Sequence, residues 1–544
     1  MAEPVAKRPR WTFDEPCTRM ERSEHPALAL SLCARSAYHA SAADAVIIGL
    51  LGDGTALSRE SLSMVDDIVH ESLLAAASDF DHSFRKATRA GATTPVVRLA
   101  TQRYALLGLG NQVATDTVGW GGGLGLKVGS ALASLLADEI GCKTAKVFLP
   151  ETALSSQSFV RDMTQSLLHA LYSDNRYRTG EKVRHPAKNL VQLFMYPVST
   201  SIEDPHLDAE IEASLKFNEF VQEGRTIAFG QYLAMDIVNA PHNVLNSLSL
   251  ANEALELASS SGLSCTILDK HACEQRGMGA YLGVARGSET EPQFIHLVYR
   301  PKEGQVHKKV GIVGKGLLFD TGGYNIKTSM MELMKFDCGG AAAVFGAAQA
   351  IAALGPKGVE VHFVVAACEN MIGPKAFVAS DILTASNGKT IEVINTDAEG
   401  RLTLADALVY VDEEIGCDSI LELSTLTGAC MISLGKQICG VWTADDNLAA
   451  ELEAASNVTG ERAWRMPMAT EYNDQLDSIV ADYKNCGTRY GGAITAALFL
   501  QNFVTAGKPF AHVDIAGPVW DDKKGATGFG VKLITEWVSK QSKS

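Results

Sequence analysis

Two acidic residues and one basic residue alternate in the segment 395–402, whose sequence is NTDAEGRL. Asp397, Glu399 and Arg401 are each separated by one residue, so in an extended chain their side chains point to the same side. Two neighbouring carboxylates can hold hard divalent cations, and an arginine beside them can hold an anion or stabilise developing negative charge. This spacing predicts a metal site with an anion-binding group next to it.

Further carboxylates occur in the preceding eighty residues. Asp320 and Asp337 can complete a carboxylate-rich cluster, and Lys315 stands between two glycines directly after a predicted strand. Any one of these acids alone is typical of a solvated, salt-bridged loop. The complete set, placed at strand ends and spaced by glycines, favours a functional site.

Predicted strands supply the elements that must position these side chains. Residues 310–313, 391–394 and 419–423 are β-branched or apolar, and each run is followed by polar residues of the candidate site. In open α/β sheets, ligands bind beyond the carboxyl ends of the strands. We therefore expect an α/β fold that brings the loops after these strands together.

The chain as a whole predicts two α/β lobes. We expect a poorly ordered extension over residues 1–26, a smaller N-terminal α/β domain over 27–202, a helical connector over 203–240 and a larger catalytic α/β domain over 241–544 with a mixed central sheet flanked by helices. Strands are predicted at residues 45–50, 104–108 and 145–149 in the first domain. In the second, the alanine-rich run 341–354 predicts a helix, and Asn387-Gly388 predicts a hairpin.

Composition narrows the class of function. The 544 residues carry a formal net charge of -15, which argues against a protein whose main function is to bind phosphate backbones. The 11 cysteines contain no Cys-x-x-Cys pair, a pattern typical of reduced thiols in the cytosol. No apolar run reaches the roughly 20 residues of a membrane helix. We expect a soluble, cytoplasmic enzyme without membrane or nucleic-acid partners.

Three familiar functional motifs are present only incompletely in this sequence. His70-Glu71 is not followed by the second histidine of a zinc helix, since residue 74 is leucine. The glycines of residues 119–129 never satisfy the dinucleotide-binding spacing, and Gly388-Lys389-Thr390 lacks the first glycine of a phosphate loop. Dehydrogenase and nucleotide-hydrolase interpretations are therefore excluded.

Several sequence segments of the second lobe together resemble the leucyl aminopeptidase (cytosol aminopeptidase) family. The resemblance rests on residues 313–327, 334–341, 395–402, 425–429, 491–497 and 512–517. It covers the second lobe from about residue 235 to 540. It implies an aminopeptidase that releases Leu-like residues from peptides with a free N-terminus.

Position by position, the resemblance implies two divalent metal ions per subunit, Zn²⁺, Mn²⁺ or Mg²⁺. One would be bound by Asp320, Asp397 and Glu399, with the Asp397 backbone carbonyl as a further ligand. The second would be bound by Lys315, Asp320, Asp337 and Glu399. A hydroxide that bridges the metals would attack the scissile carbonyl.

The same resemblance implies roles outside the metal ligands. Lys327 and Arg401 correspond to catalytic positions, with Arg401 holding a bicarbonate ion as general base. The first side chain of the substrate would lie against Met334, Thr425 and Gly428. The family also implies a homohexamer. Two alternatives remain open at this point: a related dipeptidase acting on Cys-Gly, and a non-catalytic DNA-binding or scaffolding relative.

Overall fold

A computed structural model describes residues 17–33, 43–51, 90–93, 97–99, 102–110, 122–137, 142–198 and 207–542. All eleven cysteines lie in these ranges, and none of them forms a disulfide. Of the predicted N-terminal extension, residues 1–16 lie outside the described ranges. In the part that is described, Met20 is buried, Arg22 pairs with Glu253, and the Ser23 amide donates to Asp236 Oδ2 at 2.8 Å.

The N-terminal domain is built on a parallel sheet with one antiparallel edge. Its strands are β1 (Ala29–Leu32), β2 (Ala45–Leu51), β3 (Val97–Leu99), β4 (Gln102–Gly110), β5 (Thr144–Pro150) and β6 (Gln192–Val198), in the order β1-β6-β5-β2-β4-β3. Among the described strands of this sheet, only β3 runs antiparallel to its neighbour. The described helices are α1 (Leu124–Leu136), α2 (Glu151–Leu154) and α3 (Gln157–Ala170). The three predicted strands and the α/β character of this lobe are confirmed.

A 33-residue helix, α4 (Leu207–Asn239), follows the N-terminal sheet in the chain. It packs on the core helix of the second domain through two glycines. A Cβ on Gly230 would lie 2.4 Å from the Gly346 carbonyl oxygen, and a Cβ on Gly346 would lie equally close to the Gly230 oxygen. The two backbones therefore touch where the helices cross.

The C-terminal domain contains a mixed sheet of eight strands. Strands of this domain are β7 (Ser264–Leu268), β8 (Gln293–Tyr299), β9 (Lys308–Asp320), β10 (Val359–Asn370), β11 (Ile382–Thr384), β12 (Thr390–Glu392), β13 (Ser419–Ser424), β14 (Cys439–Trp442), β15 (Ala463–Arg465), β16 (Tyr483–Lys484), β17 (Phe510–Asp514), β18 (Trp520–Asp521) and β19 (Gly525–Ala526). The large sheet has the order β15-β14-β17-β13-β9-β10-β8-β7. Its four central strands are parallel, and β8 and β14 run antiparallel to their inner neighbours. The predicted mixed sheet is confirmed.

Helices cover both faces of this sheet. They are α5 (Ser247–Ser261), α6 (Lys270–Gln275), α7 (Gly279–Ala285), α8 (Gly339–Leu354), α9 (Gly400–Val409), α10 (Gly428–Leu434), α11 (Asp446–Thr459), α12 (Gly492–Gln501) and α13 (Val531–Gln541). Short 3-10 turns occur at Gly180–Lys182, Met331–Cys338 and Thr470–Leu476, and Tyr410–Ile415 is π-helical.

Helix α8 is the apolar centre of the domain. It consists largely of small side chains, which allows close packing against the sheet. Among the described residues, only Met331–Leu354 is helical, long and apolar enough to cross a membrane, and 78% of its most apolar window is buried inside the protein. Its apolar surface is therefore largely covered by the domain itself.

Candidate active site

Strand β9 places the first two site residues. The sequence predicts that this strand ends at residue 313. In the structure the strand continues to Asp320, so Lys315 and Asp320 lie within the sheet and not in a loop after it. The glycines that suggested a break instead permit close packing, because a Cβ on Gly314 would lie 2.7 Å from the Gly340 carbonyl oxygen. The side chains of Lys315 and Asp320 are buried.

The chain turns directly after β9 and brings back two more charged groups. Gly322 and Gly323 have φ values of 85° and 61°, the left-handed region that favours glycine. Lys327 follows this turn, with its backbone N–H donating to the Thr321 carbonyl at 2.9 Å. Asp337 lies in the 3-10 turn before α8 and is buried.

Asp397, Glu399 and Arg401 reach the site by a different geometry from the predicted one. The segment is not extended, since residues 396–397 form a turn and Arg401 already belongs to α9. Glu399 has helical backbone angles, φ -80° and ψ -36°. The backbone hydrogen bonds here are those of a turn and a helix start: the Ala398 N–H donates to the Asn395 carbonyl at 3.2 Å, and the Leu402 N–H donates to the Glu399 carbonyl at 2.9 Å.

The charged groups converge in one cluster. Lys315 Nζ lies 2.8 Å from Asp337 Oδ1 and 3.0 Å from Glu399 Oε1. Lys327 Nζ lies 2.7 Å from Asp320 Oδ2 and 2.5 Å from Asp397 Oδ1. Four acidic side chains thus surround two lysine amines, so acidic groups outnumber basic groups; only Asp397 and Lys327 are half-buried, and the rest are buried.

Burial and the closeness of these charged groups shift the pKa values of both the acidic and the basic residues of the site. Burial raises the pKa of Glu399, and the neighbouring Asp320 carboxylate raises it further. Burial also raises the pKa of Asp337 and of Asp397. Burial alone would lower the pKa of Lys315, but the carboxylates of Asp337, Glu399 and Asp320 outweigh burial and raise it. Lys327 behaves in the same way.

The donor set fits divalent cations. One ligand atom each from Asp320, Asp337 and Glu399 lie within 4.8 Å of one another, and all three residues are buried. Asp337 Oδ2 is buried without a hydrogen-bond partner among the described residues. Carboxylate oxygens suit Mg²⁺ or Mn²⁺, and an amine favours Zn²⁺. Asp397 is not part of this closest trio and joins it through Lys327.

Arg401 lies beside the carboxylates without pairing directly to them. Its Nη1 donates to the Asn485 backbone carbonyl at 2.9 Å, and its guanidinium carbon lies 6.0 Å from the centre of the Phe499 ring. Burial lowers the pKa of Arg401. A buried guanidinium that pairs with no carboxylate in the part of the chain that the structure describes is suited to bind an anion.

Of the three predicted pocket residues, Thr425 contacts the cluster directly. Thr425 Oγ1 donates to Asp337 Oδ1 at 2.8 Å. Met334 is half-buried in the 3-10 turn that carries Asp337. Gly428 begins α10, and a Cβ added there would meet no atom within 4 Å, so it faces open space.

Several residues that hold the site together were missed by sequence reasoning. Asn370, at the end of β10, donates to Asp320 Oδ1 at 2.8 Å and to the Thr396 carbonyl at 3.0 Å. Thr396 Oγ1 accepts from the Asn325 amide at 2.8 Å and donates to the Gly322 carbonyl at 2.6 Å. The rule that ligands bind at the carboxyl ends of strands could have found Asn370, because a largely apolar run, residues 359–368, precedes it. Nothing in the local sequence marks the partners of Thr396.

Family models match both domains. The catalytic domain of the cytosol aminopeptidase family matches residues 232–535, and the N-terminal domain of the same family matches residues 48–181. The chain belongs to the cytosol aminopeptidase family. Members of this family are metal-dependent enzymes that release N-terminal residues, and the chain is such a hydrolase by class.

Individual relatives agree with the family assignment. The chain is 46% identical to a probable cytosol aminopeptidase of Synechococcus sp. (strain JA-3-3Ab), over 80% of this chain and 84% of that protein. It is 45% identical to leucine aminopeptidase 2, chloroplastic, of Arabidopsis thaliana, over 82% of this chain and 74% of that protein.

A solved structure extends the likeness to the whole fold. A mutant of tomato leucine aminopeptidase superposes with a TM-score of 0.82 and 36% identity, covering 96% of this chain and 98% of that chain. These relatives are named as leucine or cytosol aminopeptidases. The comparisons do not support the dipeptidase and the non-catalytic alternatives.

Proposed function

We propose that this member of the cytosol aminopeptidase family removes N-terminal residues, with Leu-like residues preferred, at the cluster formed by Lys315, Asp320, Asp337, Asp397 and Glu399. The observation that carries the proposal is the excess of buried carboxylates at one end of the parallel strands. Such an excess is costly unless cations compensate it.

Two metal ions fit this set. Asp320, Asp397 and Glu399, with the Asp397 backbone carbonyl, would hold one, and Lys315, Asp320, Asp337 and Glu399 would hold the other. When bound, the ions supply Lewis acidity and lower the pKa of a water towards neutrality. Lys315 can bind a metal only as the neutral amine, so binding must release the proton that the carboxylates hold on it. We propose Zn²⁺ at one site and Zn²⁺, Mn²⁺ or Mg²⁺ at the other.

Lys327 and Arg401 would act without binding metal. Lys327 keeps its proton because carboxylates surround it, so its ammonium can stabilise negative charge on the carbonyl oxygen under attack. Arg401 has a buried guanidinium suited to a small anion, and we propose bicarbonate. A bound bicarbonate would serve as general base, a role for which the cluster offers no histidine.

Substrate selection would depend on the open side of the cluster. The free α-amine of a peptide would lie at the metal centre, which restricts cleavage to the N-terminal residue. Met334, Thr425 and Gly428 would contact the first side chain. Their small or apolar character suits a leucine side chain.

Substitution of the carboxylates tests the proposal. Asp397→Ala and Glu399→Ala should bring hydrolysis of leucine amide to the detection limit and lower the bound metal measured by elemental analysis. Asp446→Ala removes an exposed carboxylate that pairs with Arg465 and is the matched control, so its activity and metal content should equal those of the wild type. A panel of N-terminal residues, with Cys-Gly included, measures the side-chain preference.

Removal of metal tests the two-metal mechanism directly. Thorough chelation should abolish activity, and Zn²⁺ or Mn²⁺ should restore it. Full activity in a preparation without measurable metal would refute the two-metal mechanism.

We further propose a homohexamer located in the cytoplasm. Large apolar side chains are exposed on the catalytic domain, including Ile432 at 89% and Ile479 at 97%, and an assembly would cover part of such surface. Light scattering on the same preparation measures the assembly. A relative from Arabidopsis thaliana is named as chloroplastic, so fractionation of the source cells has to decide the compartment.

A further inference from the structure

Asn485 is a buried amide that contacts the site segment from another part of the chain. It follows β16 directly and is fully buried. Its Oδ1 accepts from the backbone N–H of Ile394 at 2.7 Å and of Asn395 at 3.3 Å. Its Nδ2 donates to the backbone carbonyls of Asn395 at 2.7 Å and of Ala398 at 3.2 Å. The amide thus uses both its acceptor and its donor atoms on one short turn.

The backbone of the same residue holds a second part of the site. The Asn485 carbonyl accepts from Arg401 Nη1 at 2.9 Å, while its N–H donates to the Glu392 carbonyl at 2.9 Å. Arg401 Nε has no hydrogen-bond partner among the described residues, so this carbonyl is its principal anchor there. One residue therefore fixes both the turn that carries Asp397 and the guanidinium of Arg401.

The segment that precedes Asn485 is hydrogen-bonded to strand β12. Asp482 Oδ2 accepts from the Thr390 amide at 2.8 Å and from the Thr390 hydroxyl at 2.9 Å. Ser478 Oγ donates to Glu392 Oε2 at 2.6 Å. Because these contacts and the parallel pairing of β12 with β16 attach the residues directly before Asn485 to β12, the backbone of Asn485 is held in place beside the site segment.

We propose that Asn485 is a positioning residue for the aminopeptidase reaction, which sets the spacing between the Asp397–Glu399 carboxylates and the Arg401 guanidinium. The side-chain amide holds the backbone of the turn that carries the two carboxylates, and the backbone carbonyl holds the guanidinium. This inference rests on the proposed function. Asn485 touches no substrate and acts only through the groups that it holds.

Asn485→Ala tests the spacing. The substitution releases the turn but leaves the carbonyl that binds Arg401, so kcat for leucine amide should fall about 10- to 100-fold, as is usual when outer contacts of a metal site are lost. KM should stay within about twofold, because Met334, Thr425 and Gly428 belong to other segments and uniform substrate binding is retained. Asn252→Ala is the matched control, since it removes an exposed amide that donates to the Thr18 carbonyl at 2.8 Å.

A double substitution separates positioning from general destabilisation. Once Arg401→Ala has removed the guanidinium, the spacing no longer matters, so adding Asn485→Ala should lower kcat by less than about threefold more. If Asn485→Ala does not fold, as judged by circular dichroism, Asn485→Asp gives the same test. It keeps the acceptor atom, loses the donors to Asn395 and Ala398, and should therefore not restore kcat.

The outcomes distinguish this inference from the proposed function. A wild-type enzyme that fails to hydrolyse leucine amide would refute the proposed function itself. An active wild type would overturn only the role of Asn485 if Asn485→Ala kept the kcat of the Asn252→Ala control. The role would also be overturned if the losses from Asn485→Ala and Arg401→Ala multiplied.

Discussion

At the scale of single residues, the site depends on how closely Lys315 fits between its neighbours. Its aliphatic chain passes over Gly400, where a Cβ would lie 2.3 Å from Lys315 Cε and 2.6 Å from Lys315 Nζ. Only glycine leaves the amine in place between Asp337 and Glu399. Gly400 of the NTDAEGRL segment is therefore required by the close approach of Lys315 from strand β9.

Gly400→Ala should displace the Lys315 amine and weaken metal binding about 10- to 100-fold, measured by titration of the metal-free protein. Folding should be preserved, because alanine is the better helix former and Gly400 is the first residue of α9. Gly492→Ala is the control, since it also begins a helix and its Cβ would lie 3.7 Å from Ala429 Cβ, an ordinary contact. Equal metal affinity in the two variants would show that Lys315 is not a ligand.

Sequence reasoning found the charged residues of the site but not the amides that hold them. Asp397, Glu399 and Arg401 were recognisable because their charged side chains and their alternate spacing are visible in the sequence itself. Asn485 was not recognisable, since the partners of its side-chain amide lie 87 to 91 residues away and are backbone groups. Backbone partners leave no trace in the pattern of side chains.

At the scale of elements, the predicted strands and helices are confirmed where apolar periodicity is strong, and their ends are less well predicted. β9 was expected to end before Gly314 but runs on to Asp320. Glycine usually weakens a strand, but Gly314 of β9 lets α8 approach, since a Cβ on Gly314 would lie 2.7 Å from the Gly340 carbonyl oxygen. The tertiary contact therefore decides the strand end against local propensity.

The crossing of α4 and α8 gives a test at this scale. Gly230→Ala should lower the free energy of unfolding by about 1–3 kcal/mol, the usual cost of overpacking a core. Gly346→Ala should cost a similar amount, because either Cβ meets the opposite backbone. Denaturant unfolding of both variants measures these losses.

The double variant provides the control for the crossing. Once one Cβ has separated the helices, the second has room, so the combined loss should be clearly smaller than the sum. Additive losses would mean that the two substitutions act at independent places and that the helices are not held at contact distance by these glycines.

At the scale of the whole molecule, the two domains are joined by a neutral histidine among other contacts. His169 of α3 shares a 2.8 Å hydrogen bond between Nε2 and the Thr527 carbonyl of the catalytic domain. Burial lowers the pKa of His169 to about 4, and the positive charges of Lys532 and Lys524 oppose its protonation as well. The domain contact is therefore built for an uncharged imidazole that donates one hydrogen.

This contact predicts a loss of stability in mild acid. The pKa of His169 is lower in the folded protein than the value of about 6.5 in an unfolded chain, so between these values the unfolded state binds more protons. The contribution of His169 to the free energy of unfolding should thus fall as pH decreases from about 6.5 to 4, by roughly 1–2 kcal/mol between pH 7 and 5.

His169→Gln keeps a donor for Thr527 but does not titrate, so its unfolding free energy should depend less steeply on pH. His271→Gln replaces an exposed histidine, 76% accessible, and should leave the wild-type slope unchanged. Equal slopes for His169→Gln and the wild type, measured by denaturant unfolding at both pH values, would show that the domain contact does not depend on a neutral His169.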